Sequence, residues 1–290
     1  MSTYYYDDPK IIKYFNMILN GRWHTGLAPH RYGQIEMEEL VIKSLKIIEN
    51  DKVLDFGSGC GLTTCDIHLM TKCQIIGLNI SPKQVEMSNE LRDNIGISKN
   101  NVEFILSKTA KLPFANSSFD KIIFFESICH VDDKVGLLNE FYRILKPNGL
   151  IGGEDWIQIG STPNLQDQYI TPVLETYAIP SLWKLSEWDQ NLKYCNFKQI
   201  STKDLKLQYN IKASFQTDYF STCSCVELLI YIIKYIISYI LVKYKYPKLL
   251  CKYPNQPTIC DEKLFTKSAE VLHDAYNKQL FTVGLIIAQK

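Results

Sequence analysis

The sequence predicts an α/β protein built on a parallel sheet with helices on both faces. Three observations carry this. An apolar run, Val53-Leu54-Asp55-Phe56, meets the turn Gly57-Ser58-Gly59-Cys60-Gly61, and an apolar periodic segment from Leu62 to Met70 follows. That order reads as buried strand, tight turn and helix start. Short apolar runs at 52–56, 74–79, 102–107, 120–125 and 149–155 alternate with helical segments at 62–70, 82–94 and 133–145, and such alternation implies parallel strands. Ser81-Pro82, a helix-capping signature, stands where the second strand must give way to a helix.

The elements ahead of the sheet are helical. Asp8 caps and Pro9 fits the first turn of a helix over 9–20, whose apolar face is Ile11, Ile12, Phe15, Ile18 and Leu19. An aromatic loop, Gly21-Arg22-Trp23-His24-Thr25-Gly26 and Ala28 to Gly33, leads to a second helix over about 34–48. Apolar residues are 46% of the 290 and charged residues 22%, enough to build a large globular core and too apolar for disorder. The net charge of +1 argues against a nucleic-acid surface. Nine cysteines lie singly apart from Cys223-Ser224-Cys225, with no metal-ligand spacing, so no zinc or other metal is expected. The polar N-terminus without an apolar run and the odd cysteine count fit a reducing cytoplasm.

Ligands on parallel sheets bind at the carboxyl ends of the strands. Three glycines at the end of the first strand let the backbone turn sharply and approach a ligand closely. The helix start beyond them offers unpaired N–H groups. Further along come Gly77-Leu78-Asn79-Ile80-Ser81-Pro82, Ala110 to Asp120 with its Leu112-Pro113-Phe114 and Ser118-Phe119-Asp120, Glu126-Ser127-Ile128-Cys129-His130, and Leu145-Lys146-Pro147-Asn148-Gly149. Taken in order over about 50–156, these segments resemble the class I methyltransferases that use S-adenosylmethionine (SAM), closest in kind to sterol, isoprenoid and natural-product enzymes. The resemblance implies a Rossmann-like seven-stranded sheet, mostly parallel, with an antiparallel edge formed by strands at 197–207 and 281–288.

The resemblance also implies the site. SAM is expected on Asp55, Gly57, Ser58, Gly59 and Gly61, with Asn79, Ile80 and Gln84 toward the ribose, Lys108 and Thr109 toward the adenine, and Glu126 near the methyl group. Two positions depart from the family: Asn79 stands where an acid usually binds the ribose, and Lys108 stands where an acid usually accepts from the adenine. A lysine cannot accept that bond, so adenine contact falls to backbone groups or the Ser107 hydroxyl. Ser81 reads as a helix cap rather than a ligand. Glu126, His130 and Glu154 are the catalytic candidates. A buried carboxyl without a partner has a raised pKa and suits a base. Trp23, His24, Tyr32, His130, Trp156 and Trp183 are candidates for acceptor contact, against the plainer reading of aromatic packing; Asp155-Trp156 matches an acidic-aromatic pair of sterol enzymes in kind.

The expected organisation is a helical lid at 1–49, a SAM-binding core at 50–207 and 276–290, and a helical cap inserted at 208–275. Within the insertion, Glu227, Tyr231, Lys234 and Ser238 form a polar stripe on an otherwise apolar helix, followed by Lys243, Lys245, Lys248 and Lys252. Lys234 makes a membrane span unsuitable. The segment 226–252 is read as a cap over the site or a homodimer contact, with membrane-surface docking as the alternative. The function expected is methyl transfer from SAM to a small, lipophilic acceptor, a sterol, isoprenoid or polyketide-like metabolite, with O-, N- and C-methylation left open. A non-catalytic methyltransferase-like subunit and an NAD-dependent dehydrogenase are the rival readings.

Overall fold

The computed structural model describes residues 6–19, 21–26, 31–109, 111–160, 162–205 and 278–290, with residues 229, 232, 233, 236, 240, 271, 272 and 274–276 between them. Seven strands form one sheet: β1 (Lys52–Phe56), β2 (Gln74–Asn79), β3 (Val102–Leu106), β4 (Phe119–Phe125), β5 (Leu145–Gln158), β6 (Lys198–Asp204) and β7 (Phe281–Gln289). Their order is β3-β2-β1-β4-β5-β7-β6. The first five are parallel, and β7 runs antiparallel to both β5 and β6. The chain therefore reverses direction across the sheet between β1 and β4, which is where such sheets open a crevice at their carboxyl ends.

The helices are α1 (Pro9–Ile18), α2 (Arg31–Leu45), α3 (Leu62–Thr71), α4 (Pro82–Ile95), α5 (Lys134–Ile144) and α6 (Leu185–Tyr194). Short helical turns occupy Pro163–Leu165, Gln166–Ile170 and Thr171–Thr176. Local chemistry sets the starts. Asp8 accepts from the Lys10 N–H at 2.8 Å, and Ser81 accepts from the Gln84 N–H at 3.1 Å, so both caps expected from sequence form. Helix α2 stops earlier than its apolar pattern suggests, because Lys46 turns left-handed at φ +52° and Ile47 donates back to the Ile42 carbonyl. Strand β5 starts earlier than expected, since Leu145 already pairs with Phe119 across a register shift.

Both sheet faces are dry. On one, Met37, Val41 and Leu45 of α2 and Cys65 and Ile67 of α3 pack with Val53, Ile75 and Ile123. On the other, Leu138, Phe141 and Ile144 of α5 and Trp188 and Leu192 of α6 pack with Leu54, Ile122 and Phe124. The Trp188 ring stacks parallel to Phe124 at 5.9 Å. Each fully buried aliphatic or Phe side chain contributes roughly 1.5–3 kcal/mol of transfer free energy. This core leaves the carboxyl ends of β1, β4 and β5 rigid, as a site needs. Trp183 belongs to it: the ring lies edge-on to Trp188 at 5.1 Å, packed with the core of the α5–α6 face. The polar stripe at Glu227, Tyr231, Lys234 and Ser238 lies outside the described residues.

Candidate active site

The glycine turn forms as expected. Gly57, Gly59 and Gly61 have φ of +81°, +52° and +86°, a region that costs side-chain-bearing residues strain. The turn is tied to β2 by Gly57 and Ser58 N–H groups donating to the Leu78 carbonyl. Ser58 Oγ is buried there without a hydrogen-bond partner. Gly57 is exposed at the open end of β1, and a Cβ added to it would collide with Ser127. A close-approach turn with an orphan hydroxyl fits the methionine half of SAM.

The next cofactor candidates are engaged internally. The Asn79 amide donates to the Gly59 carbonyl at 2.9 Å and to Gln84 Oε1 at 2.8 Å, and its Oδ1 accepts from the Ser81 N–H at 3.0 Å. One amide hydrogen therefore holds the glycine turn in shape and the other is satisfied by Gln84. Gln84 is buried as that amide's acceptor, and Ile80 is half-buried beside it. Lys108 and Thr109 are exposed past the end of β3. The Thr109 hydroxyl donates to the Lys111 carbonyl at 2.7 Å and lies 3.3 Å from Ser107 Oγ. Asp55 accepts from the Thr64 hydroxyl at 2.5 Å, which fastens β1 to α3, and burial pushes its carboxyl up to about 7.

The aromatic loop proves to be a strap across the open end of the sheet. Arg22 is buried and pairs with Asp66 of α3 at 2.5 Å and with Glu38 of α2 at 3.3 Å. Burial opposes the guanidinium charge, yet the two carboxyls hold its pKa above the ordinary value. Burial also drives Glu38 up to about 7 and Asp66 up to about 8. One guanidinium cannot balance two buried carboxylates, so one carboxyl keeps its proton. His24 suits Glu38 as that one. Its Nδ1 lies 2.7 Å from the Thr25 carbonyl and must carry the hydrogen, leaving Nε2, 3.4 Å from Glu38, as acceptor. His24 is fully buried against Phe125, with ring centroids 4.8 Å apart, and burial lowers its pKa to about 4. His24 is thus buried under the strap, with its Nδ1 3.9 Å from Glu154 Oε1.

Trp23, left-handed at φ +52°, lies on the glycine turn: a Cβ added to Gly59 would sit 3.2 Å from Trp23 Cβ and Cγ. Its indole N–H donates to Asn16 at 2.6 Å, and its ring packs on Phe15. Tyr32 is in the first turn of α2, and its side chain lies outside the described set.

The acceptor-side acids come together at the ends of β4 and β5. Glu126 follows β4, and its N–H donates to the Glu154 carbonyl at 2.9 Å. Its side chain is half-buried, and burial raises its pKa against the hydrogen bonds from Thr25. Glu154 is fully buried, and neither carboxyl oxygen has a hydrogen-bond partner. Burial first, and then Glu126 and Asp155, hold its pKa well above the carboxylate range. Asp155 accepts from the Cys129 and Trp156 N–H groups at 3.0 and 2.8 Å, so it caps the turn carrying His130. Trp156 is buried against Tyr177 and Phe281 with its indole N–H unpartnered. His130 stands apart from the acids, edge-on to Tyr6 at 5.5 Å, with burial lowering its pKa to about 4.

Sequence reasoning missed Arg22, Thr25, Glu38 and Asp66. A signal existed: Glu38 lies three residues from Ile35 and Val41, and Asp66 lies between Cys65 and Ile67, so both are acids at core positions of their helices. Among the described residues, no group of three His, Cys, Asp or Glu is arranged to hold a metal.

Residues 54–152 match the methyltransferase-domain family. The chain is 31% identical over 163 residues to a sterol 24-C-methyltransferase of Pneumocystis carinii, covering 55% of this chain and 43% of that protein. It is 29% identical over 171 residues to the cycloartenol-C-24-methyltransferase of Arabidopsis thaliana, covering 58% and 51%. These matches span about half the length of those relatives. Among solved structures, the fold resembles geranyl diphosphate C-methyltransferase from Streptomyces coelicolor A3(2), in complex with Mg2+, geranyl diphosphate and S-adenosyl-L-homocysteine. The TM-score is 0.64 at 15% identity, covering 89% of this chain and 80% of that one.

Proposed function

We propose that this chain, a class I SAM-dependent methyltransferase related to the sterol and isoprenoid enzymes, methylates a neutral, lipophilic acceptor of sterol or isoprenoid kind. The observation that carries the reading is the acid pair at the carboxyl ends of β4 and β5: half-buried Glu126 over fully buried, unpartnered Glu154. Those ends lie beside the glycine turn. Lys134, the nearby cation, has its ammonium bonded to the Val131 carbonyl and the Ser181 hydroxyl at 2.7 and 3.0 Å. An acidic rim of this kind disfavours a phosphorylated acceptor and favours one that is neutral and gains positive charge as the methyl arrives.

SAM, when bound, supplies an electrophilic methyl group that transfers by in-line displacement. The chain does the positioning. The glycine turn would hold the methionine half, Asn79 keeps the turn in shape, and Trp23 would roof it and exclude water. Glu126 presents negative charge to an acceptor carbon that becomes cationic, and it accepts the proton released when the double bond re-forms. Glu154 keeps its own proton through burial, so it adds no second charge beside Glu126. The C-24 methylating relatives favour carbon as the acceptor atom.

The test is methyl incorporation from labelled SAM into a panel of sterols and isoprenoid alcohols, read by mass. Glu126→Gln is expected to lower turnover by about 10²–10⁴-fold, the usual worth of general-base assistance, with SAM affinity little changed. Full turnover in that variant removes Glu126 from the chemistry. A second reading, a methyltransferase-like subunit without activity, is favoured by the engaged Asn79 amide and exposed Lys108. Calorimetry with SAM separates the two, since that reading expects no heat of binding.

Two expectations about setting remain proposals. Among the described residues, Cys65, Cys73, Cys129 and Cys195 are buried free thiols, which favours a reducing cytosol. Leu229, Ile232, Ile233, Ile236 and Ile240 are helical, exposed by 43–57%, and spaced to share one helix face. They favour membrane-surface contact through 226–252 over a cap whose apolar face turns inward. Among the described residues, no helix is long and apolar enough to cross a membrane.

A further inference from the structure

Thr25 places both of its donors on one atom. Its N–H lies 2.7 Å from Glu126 Oε1, and its hydroxyl lies 2.6 Å from the same oxygen. The two residues are 101 apart in sequence. Glu126 itself is held at φ +45°, a left-handed conformation that a non-glycine residue keeps only when its surroundings enforce it. It sits at the first position past β4.

The strap does not depend on Glu126 for its own place. Arg22 anchors it through Asp66 and Glu38, the Thr63 hydroxyl donates to the Arg22 carbonyl at 3.2 Å, and Gln34 donates to the His24 carbonyl at 2.6 Å. The same six residues lay Trp23 on Gly59. One segment therefore touches both halves of the proposed site.

We infer that Thr25 is a positioning residue for Glu126: the closed strap grips Oε1 with two donors, fixes the carboxylate's orientation, and leaves Oε2 outside that grip to serve the acceptor. Roofing the glycine turn and setting the acceptor-side carboxylate are then one event. The inference rests on the proposal that Glu126 lines the acceptor site. Groups facing Glu126 are His24 from the strap, Glu154 and the Trp156 indole from β5, and Cys129 from the turn after β4, with Asp155 beside Glu154 and Arg22 further along the strap. Each donor to Oε1 favours the charged form, so losing one makes Glu126 harder to ionise.

The test compares Thr25→Val, which keeps the shape and the N–H but removes the hydroxyl, with Thr25→Ser, which restores it. Thr25→Val is expected to lower kcat about tenfold or more with SAM affinity unchanged, and to move the acid limb of the pH profile up by about one unit. Thr25→Ser should return both toward the parent. A readout independent of turnover is the carboxyl infrared band of Glu126, assigned by its loss in Glu126→Gln. In Thr25→Val that band should titrate at higher pH. An unmoved band overturns the inference whatever the activity. A moved band together with a fully active Glu126→Gln sustains the grip and overturns the role given to Glu126.

Discussion

Replacing Glu154 by Leu should make the protein more stable and less active. The carboxyl is fully buried, and neither oxygen has a hydrogen-bond partner. Leaving such a group unsatisfied costs about 1–3 kcal/mol. Leucine has nearly the same volume, removes that cost, and faces a site already bordered by the Phe125 and His24 rings. A gain of that size shifts the thermal midpoint by roughly 2–5 °C in a chain of this length. The pH dependence gives a sharper signature. Burial and the neighbouring acids hold the folded pKa well above 4.5. The folded state therefore binds the proton more tightly than the unfolded state. The contribution of protonated Glu154 is full below about pH 4.5 and is lost as pH rises toward the folded pKa. The advantage of Glu154→Leu over the parent should widen as pH rises from about 5 through the folded pKa. Differential scanning fluorimetry across that range measures it, and labelled methyl transfer measures the activity. A midpoint that falls, or a difference flat with pH, would refute the reasoning that Glu154 is a buried carboxyl without a hydrogen-bond partner, retained at the expense of stability.

Two further outcomes follow from the same geometry. Gly59→Val puts a branched side chain at φ +52° and against Trp23 at 3.2 Å, so SAM binding by calorimetry should be lost while the far-ultraviolet dichroism of the fold remains; unchanged affinity in a folded variant moves the cofactor off the turn. For the segment 226–252, sedimentation with anionic vesicles should exceed that with neutral ones and weaken with salt, because the segment carries five lysines and one acid; equal recovery in the supernatant with both vesicle types removes the membrane reading.

The sheet was legible because its code is local. The central strands β1, β2 and β4 are apolar runs that end at a glycine, an asparagine or an acid, and two helices open on side-chain caps, Asp8 and Ser81. The glycine turn was legible for the same reason: three glycines in five residues have few uses other than a left-handed turn. Even the antiparallel edge followed, once the resemblance supplied what periodicity could not.

What stayed hidden depends on distant partners. Gln84 and Asn79 were assigned to the cofactor by position, but their amides satisfy one another and the Gly59 carbonyl. A sequence shows that a donor exists, not whether the fold has already used it. Trp183 and His24 read alike as aromatics that could touch an acceptor, and the structure packs one against Trp188 and the other on Phe125. The strap is the clearest case. Nothing near Thr25 in the chain points to Glu126, and Arg22 is 44 residues from the Asp66 that anchors it. The trace such a device does leave is a cost: an acid set among core positions, as Glu38 and Asp66 are. A buried charge without a neighbour of opposite sign in its own helix must find one elsewhere. Reading those two acids as a demand for a cation from another segment would have pointed to Arg22, and through it to the residues the strap carries across the site.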